Sequence, residues 1–370
     1  MNHSSDDDFD RDTWCLLGLP YDAVSMQAAC EIISEAALTR RPCFFSTPNL
    51  NFSISALDDP AFRNTVIDSE LSLIDGMPLL WMARLLGTGL SEKVSGSDLF
   101  DQLWHRSPSG KTRIKVFFFG GEAGVAEIAS QKINATESGL TCVGFLNPGF
   151  ASIEDISRPE IIDQINAAKA DFLVVALGAR KGQLWIDRNR QQLQVPVISH
   201  LGAVVNFVAG NVNRAPVWMQ KSGLEWVWRI LQEPVLWKRY FFDGLGFTRL
   251  FLTRVLPYAV WRKANAVRLA NVQPVVCRVD KEQEQTVIAI EGSCLQRTIA
   301  PLRVVFRDAS SESRSIRLDL AQVAVVDGAF LGLCLLLLKQ VTAAGGKLTI
   351  SGLNSDLVRI FRWNCVEYLL

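Results

Sequence analysis

One carboxylate stands where acid–base chemistry would need it. In LSLIDG, Asp75 directly follows the apolar residues 71–74 and precedes Gly76, a place for a general base or for a plain turn residue. Thr47 and Asn49 (STPNLN) follow a second apolar run at residues 42–46. Polar residues at a strand's carboxyl end line ligand crevices in open α/β sheets; the same types also cap helices and make turns. Gly120 and Gly121 (FFFGGEAG) end a third run and open a helix. Such a turn lets a phosphate or ribose approach the backbone, and a simple tight turn uses the same residues.

Cations gather in one stretch. Residues 214–240 (RAPVWMQKSGLEWVWRILQEPVLWKRY) hold four tryptophans and five basic side chains: Arg214, Lys221, Arg229, Lys238 and Arg239. The three histidines, His3, His105 and His200, share no motif, and no His/Cys/Asp set has metal-ligand spacing. GxSxG and Walker A patterns are absent. A carboxylate base, with cations to hold a leaving phosphate, suits metal-independent transfer from a phosphorylated donor, glycosyl transfer from a nucleotide sugar among others. The residues alone do not single that reaction out. A nucleotide-binding oxidoreductase would rest only on the glycine turn, without its GxGxxG fingerprint or acidic partner.

The elements that must position these residues follow from periodicity. Apolar runs at 14–17, 42–46, 71–75, 116–119, 140–145, 171–177 and 195–200 alternate with helical patterns. The rhythm predicts an α/β fold with a mainly parallel, doubly wound, Rossmann-like sheet. A helix is expected from about 22 to 37, and the charged loop 92–98, with Lys93, leads into another near 100–104. Within 214–240, Trp218, Trp226 and Trp228 with Leu224, Val227, Ile230 and Leu231 would form a wide apolar stripe on a helix. Such a basic, tryptophan-bearing helix suits a membrane surface or burial under the preceding domain. Beyond 275 the rhythm changes to strands at 275–279, 286–291, 315–320 and 347–351 with helices at 329–343 and 355–365, a smaller second α/β domain.

The expected organisation is therefore an acidic disordered tail (1–13), a core (14–212), a basic aromatic helical appendage (213–263), a linker (264–274) and the second domain (275–370). Zero formal net charge argues against nucleic acid as a partner. Residues 214–263 nevertheless carry nine basic against three acidic side chains. Eight scattered cysteines without a CxxC pair and no secretory leader point to a reducing cytosol. The longest apolar run, residues 328–338, is too short to span a bilayer, so membrane contact would be peripheral.

Residues 14–240 resemble the WecG/TagA/CpsF family of bacterial glycosyltransferases. The matching segments are LGLPYDAVSMQAA, STPNLN, LIDGMPLLWMARLLG with EKVSGSDLF, FFFGGEAGVAE, GARKGQLWI and AGNVNRAPVWMQKSGLEWVWRILQEP with KRY. The resemblance implies inverting transfer of an N-acetylmannosamine-, mannosaminuronate- or glucose-type sugar. The donor would be a nucleotide sugar, UDP-linked, and the acceptor a polyprenyl-diphosphate-linked saccharide, at the inner face of the plasma membrane and without a metal or other cofactor. It implies Asp75 as base, with Thr47 and Asn49 in the same pocket. Gly120, Gly121, Gly178, Lys181 and Gln183 would shape the donor site, and Lys93, Arg214, Arg229 and Arg239 would meet phosphates. Lys93 stands where the family usually has arginine, Gly182 where it has glutamine, and Leu236 where it often has arginine.

Residues 272–370 resemble STAS domains through IRLDLAQVAVVDGAFLGLCLLL and GGKLTISGLNSDLVRIFRWNCVEYLL. Switching members have a hydroxyl residue after the strand-end aspartate; here Asp327 is followed by Gly328, Ala329 and Phe330. The resemblance thus implies docking of other polysaccharide-assembly proteins rather than a phosphorylation switch. The alternative for the whole chain is an inactive scaffold that recruits such partners.

Overall fold

The computed structural model describes residues 8–107, 113–216, 218–219, 222–282 and 285–370. Most of the acidic tail and Lys221 lie outside them. Residues 8–12 are not a trailing tail. Asp8–Asp10 form a 3-10 turn with Asp8 and Phe9 buried, because Asp8 is neutralised on two sides, by Arg11 (2.9 Å) and Lys339 (3.0 Å).

The chain then makes a hairpin, β1 (Thr13–Leu16) and β2 (Leu19–Asp22), antiparallel and outside the main sheet. The second strand was not expected, since Pro20 demotes so short a run. It extends through Asp22, so α1 (Met26–Thr39) starts four residues later than expected, capped by Ser25 accepting from the Ala28 N–H.

Six parallel strands form the main sheet: β3 (Cys43–Ser46), β4 (Leu71–Ser72), β5 (Ile114–Gly120), β6 (Leu140–Leu146), β7 (Phe172–Ala176) and β8 (Val197–His200), in the order β4-β3-β8-β7-β5-β6. β3, β7 and β8 are buried along their whole length, as a sheet covered on both faces requires. After β3 the chain forms α2 (Leu50–Asp58) and α3 (Pro60–Ile67). α4 (Met77–Leu85) and α5 (Gly96–His105) follow β4, α6 (Val125–Asn134) follows β5, and α7 (Pro159–Ala167) follows β6. α8 (Ala179–Asn189) follows β7 and α9 (Val204–Ala209) follows β8. α3 packs on α8, whereas α9 packs on α5 and α6 against the opposite face. The adjacent strands β3 and β8 thus send their helices to opposite sides, which opens a crevice at their carboxyl ends.

The basic stretch is not one helix. Gly223 takes φ +74° with the Trp81 ring against it, and Pro234 follows α10 (Glu225–Gln232). A rod then runs through α11 (Trp237–Leu250), a π-turn (Phe251–Val255) and α12 (Leu256–Ala264). The π-turn lies just ahead of Pro257, which lacks the N–H that regular helix needs. The expected linker contains helix α13 (Ala266–Ala270), pinned by Arg268 to Asp356 at 2.8 Å.

The last part is a four-stranded sheet of β9 (Val276–Lys281), β10 (Thr286–Cys294), β11 (Ile316–Val326) and β12 (Leu348–Ser351), ordered β12-β11-β10-β9. Only the β9–β10 pair is antiparallel. Its helices are α14 (Ala300–Glu312), unexpected from the sequence, α15 (Gly328–Ala343) and α16 (Ser355–Trp363). α15 packs directly on β1, and one apolar core joins Trp14, Leu16 and Tyr21 to Phe306, Phe330 and Leu335. Lys339 reaches across to Asp8 and the Ser69 carbonyl, and the Tyr368 hydroxyl donates to the Gly18 carbonyl at 2.7 Å.

The closest approach is at Gly332, where a Cβ would lie 2.3 Å from the Thr13 carbonyl oxygen. Alanine in a helix interior ordinarily gains about 0.5–1 kcal/mol over glycine. Gly332→Ala is expected to do the reverse, costing about 1–3 kcal/mol through overpacking against backbone. A denaturant titration in which this variant is as stable as the parent would refute that seam.

Candidate active site

The carboxyl ends of the strands converge on the crevice. Asp75 follows β4, Thr47 follows β3, His200 ends β8, Gly178 follows β7, and Gly120 with Gly121 end β5. Asp75 is fixed from three directions. Its N–H donates to the Pro48 carbonyl (3.1 Å), the Ile74 carbonyl beside it accepts from the Val94 N–H (2.9 Å), and its carboxylate faces the start of α5, where the Gly96 N–H favours the charged form. Gly76, at φ +108°, turns the chain into α4. Thr47 is adjacent: its Oγ1 lies 3.2 Å from where a Gly96 Cβ would stand.

The electrostatics of this corner are its main feature. Burial pushes the Asp75 carboxyl up to about 7; the Lys93 ammonium pulls it down, while Glu225 and Asp98 push with burial. Lys93 faces all three acids, 3.2 Å from Glu225 and 3.6 Å from Asp98. Burial opposes its charge, yet those carboxylates hold its pKa above the usual lysine value. Asp75 is therefore a partly desolvated carboxyl poised near neutrality, with part of the residue still open to solvent.

Other expected residues are placed unevenly. Asn49 caps α2, its Oδ1 accepting from the Phe52 N–H at 3.2 Å. Gly120 is tight, since a Cβ would lie 2.6 Å from the Ala176 carbonyl oxygen, and Gly121 donates its N–H to that oxygen at 2.8 Å. Gly178 opens α8 with free space above it. Lys181 and Gln183 do not line the crevice in this conformation. Lys181 donates to the Ala151 carbonyl, and Gln183 is wholly enclosed, donating to Ser46 Oγ at 3.1 Å. On α8 those two positions face the neighbouring loop and the sheet rather than its edge.

The appendage supplies three further cations. Arg214 is held by Asp98 (2.9 Å), Arg229 by Glu233 (3.3 Å) and Arg239 more loosely by Asp243 (3.7 Å). Arg214 and Arg229 lie over the Phe207 ring of α9 at 5.9 and 5.3 Å. Arg239 reaches far enough over β3 and β8 to disfavour the charged form of His200. Its position is set by Asp243, which accepts from Asn51 at 2.9 Å and so ties α11 to the start of α2. Burial raises the Tyr240 hydroxyl pKa, and Arg229 and Arg239 pull it back. Among the described residues, no group of three His, Cys, Asp or Glu could hold a metal ion.

A family model described as the glycosyl transferase WecG/TagA/CpsF family matches residues 14–260, more than half of the chain. The chain belongs to that family. A second model, described as Mlab, STAS domain, matches residues 277–366 of this glycosyltransferase. Two relatives are the N-acetylglucosaminyldiphosphoundecaprenol N-acetyl-beta-D-mannosaminyltransferases of Bacillus spizizenii (strain ATCC 23059 / NRRL B-14472 / W23) and Bacillus subtilis (strain 168). The first is 28% identical over 53% of this chain and 74% of its own; the second is 29% identical over 52% and 73%. Among solved structures, the unphosphorylated anti-sigma factor antagonist SpoIIAA is similar to 24% of this chain, over 83% of its own, at 15% identity and a TM-score of 0.22.

Glu225 and Asp98 flank Lys93 beside Asp75, and Arg239 acts on Tyr240 and His200, four residues that the sequence did not point to. Glu225 and Asp98 stood inside GLEW and SGSD, segments already quoted for other residues. The histidines had been set aside because no motif joined them.

The raised Asp75 pKa makes a stability prediction independent of turnover. Unfolded, an aspartate titrates near 3.9; folded, Asp75 titrates near 7. Between those values the folded state holds a proton that the unfolded state has lost, so stability falls as pH rises across the window and levels off above about 7. Asp75→Asn removes this cost. It is expected to stabilise the protein at pH 8 by on the order of 1–4 kcal/mol, with the gain vanishing near pH 4. Melting curves showing the same gain at both pH values would exclude a desolvated Asp75.

Proposed function

We propose that this glycosyltransferase moves a sugar of the N-acetylmannosamine, mannosaminuronate or glucose type, with inversion. The donor is a UDP-linked sugar, and the acceptor a saccharide on polyprenyl diphosphate, in bacterial surface polysaccharide synthesis. The observation that carries the reading is Asp75: a carboxyl near neutrality at the mouth of the crevice, with Thr47 beside it and the Lys93 ammonium acting on it. The names of the two Bacillus relatives supply the chemical class of sugar and acceptor.

In this reading the Asp75 carboxylate takes the proton of the acceptor hydroxyl as that oxygen attacks the anomeric carbon. The bond from that carbon to the donor's β-phosphate oxygen breaks on the opposite side, and its electron pair leaves with UDP. A pKa near 7 leaves the base available at neutral pH while keeping it strong enough to accept the proton. Arg239, Arg229 and Lys93 neutralise the developing charge on the leaving diphosphate, guanidinium groups being matched to phosphate oxygens. Gly120, Gly121 and Gly178 give the nucleotide close approach to the backbone. Lys181 and Gln183 shape the donor loop from behind.

The protein works on the membrane rather than through it. Among the described residues no helix is long and apolar enough to cross a bilayer. The α11–α12 rod instead exposes Trp237, Phe241, Phe242, Leu245, Leu252, Leu256 and Val260, most of them at four- or seven-residue spacing. Lys238, Arg249, Arg262 and Lys263 flank them. An exposed apolar stripe edged with cations suits the headgroup boundary of an anionic leaflet. It adds to the stripe expected further back, of which Trp218, Leu224, Trp226 and Leu231 are exposed while Trp228 is tied to the Asn213 carbonyl at 3.0 Å. Docking there places the Arg239 end of the rod, and the crevice beside it, near a lipid-linked acceptor. Partners of the STAS domain would have to use surfaces other than the α15 face, which β1 covers.

Purified protein offered UDP-sugars and a short polyprenyl-diphosphate-GlcNAc acceptor should give one inverted disaccharide product by mass spectrometry. Asp75→Asn should lower its formation about 10²–10⁴-fold, and the parent's kcat/KM should rise with pH through about 7 and then level off. Product at parental rates from the variant would remove Asp75 as base. Replacing Trp237, Phe241 and Phe242 by serine should weaken sedimentation with anionic liposomes by roughly tenfold or more. Unchanged sedimentation would sink the docking surface while leaving the transfer reaction standing.

A further inference from the structure

The imidazole of His200 occupies a slot that two glycines leave open. A Cβ on Gly182 would come within 2.3 Å of its Cδ2 and 3.0 Å of its Cγ. A Cβ on Gly202 would stand 3.2 Å from its Nε2 and 3.3 Å from the Leu177 carbonyl oxygen. No rotation of a side chain at 182 avoids that overlap, since the Cβ itself collides. The ring is buried, with Phe52 of α2 at 6.2 Å between centroids.

Its one bond is directional. Nε2 lies 2.5 Å from the carbonyl oxygen of Leu177; a carbonyl only accepts, so Nε2 carries the proton. Leu177 immediately precedes Gly178, the exposed first turn of α8. His200 ends β8, the strand beside the crevice, and Leu201 after it packs where Gly96 meets Thr47. One imidazole thus links the β7–α8 turn to the end of β8, whose next residue packs toward Gly96 and Thr47. Burial, then the charge of Arg239, disfavour the imidazolium against the pull of the Leu177 carbonyl, so the neutral Nε2–H tautomer is the resident form.

We propose that His200 is a positioning residue for the nucleotide donor: its Nε2–H bond to the Leu177 carbonyl sets the β7–α8 turn at the crevice mouth, and Gly182 and Gly202 are glycine to admit the ring. This rests on the nucleotide-sugar reading of the crevice. Residue 182 acts through His200 and not by touching the donor. Substitutions at the two positions must therefore be coupled rather than independent.

The test uses the full chain and UDP as the probe, by calorimetry, with thermal melts to confirm that each variant is folded. His200→Ala and Gly182→Ala are each expected to weaken UDP binding about tenfold, the scale of losing a buried hydrogen bond. The double variant should bind no worse than His200→Ala alone, because with the ring gone the Cβ at 182 meets nothing. His200→Gln, which can present an N–H to the same carbonyl, should stay within about threefold of the parent. A purely structural ring would not be rescued by that amide. Multiplying losses in the double variant, or a Gly182→Ala protein with parental affinity, would overturn the proposal.

A second measurement does not depend on the nucleotide. In protein labelled with ¹⁵N histidine, long-range proton–nitrogen spectra at pH 7.5 should show one buried ring protonated at Nε2 alone, lost in Gly182→Ala. An Nδ1–H or doubly protonated His200 would overturn the pairing. Failure of the parent to bind UDP, with the tautomer as expected, would instead remove the nucleotide reading and with it the donor-positioning role.

Discussion

The site depends on the free energy of keeping one carboxylate half out of water. Asp75 is pushed toward its neutral form by burial and by two neighbouring acids, and toward its charged form by Lys93 and the Gly96 N–H. Neither side wins outright, which is the condition for a base that must be free before the reaction and protonated after it. That balance is not local. Asp75 comes from the end of β4, Lys93 and Asp98 from the loop and first turn of α5, and Glu225 from the appendage. A shift of α10 by one side-chain length would remove Glu225 from the balance, so in the proposed reaction the appendage tunes the base as well as offering a membrane surface.

The STAS domain is held on as part of the same solid. The buried Asp8–Lys339–Arg11–Asp22 cluster spans the junction, Arg11 pairing with Asp22 at 2.8 Å. Arg303 donates to the carbonyls of Phe9 and Arg11. Buried charges of this kind contribute little net stability but are costly to separate. They therefore specify one docking geometry rather than supply its driving force, which comes from the shared apolar core. Asp327 illustrates the consequence: its carboxylate caps α15 through the Ala329 and Phe330 N–H groups, and Gly328 beside it packs on Trp14. The N-terminal end of α15 is thus an internal seam.

Much of this was legible in the sequence. The parallel sheet, the smaller α/β domain and the strand-end placement of Thr47, Asp75, Gly120 and Gly178 follow from alternating apolar runs, because a strand buried on both faces has no polar residues to blur its limits. What was missed depended on tertiary partners. The β2 strand is four residues long and contains Pro20; it exists because β1 pairs with it and because Asp22 meets Arg11. Gln183 looked like a ligand from its place in a loop motif, yet one turn into α8 its side chain faces Ser46. Asn49 had two readings at the outset, and its oxygen is committed to the helix cap, which leaves its amide N–H₂ for any ligand. Periodicity cannot say which polar residues are already spoken for.

The same point governs how a diphosphate can enter. Every described cation assigned to phosphate is already matched: Lys93 with Glu225 and Asp98, Arg214 with Asp98, Arg229 with Glu233, Arg239 with Asp243. These pairs differ in how firmly they hold. Arg214 has a second bond, to the Ser97 carbonyl, whereas the Arg239 pair is the longest of the five at 3.7 Å, with Arg239 half-exposed and Asp243 buried. In the proposed reaction a doubly charged diphosphate would meet the exposed side of Arg239, leaving the buried Asp243 with its bond from Asn51. Displacing Asp98 from Arg214 would disturb the first turn of α5, whose Gly96 N–H favours the charged form of Asp75. On the proposed reading, phosphate capture falls to Arg239 and scaffolding to Arg214, and the capturing group lies on the rod that also carries the exposed aromatic stripe.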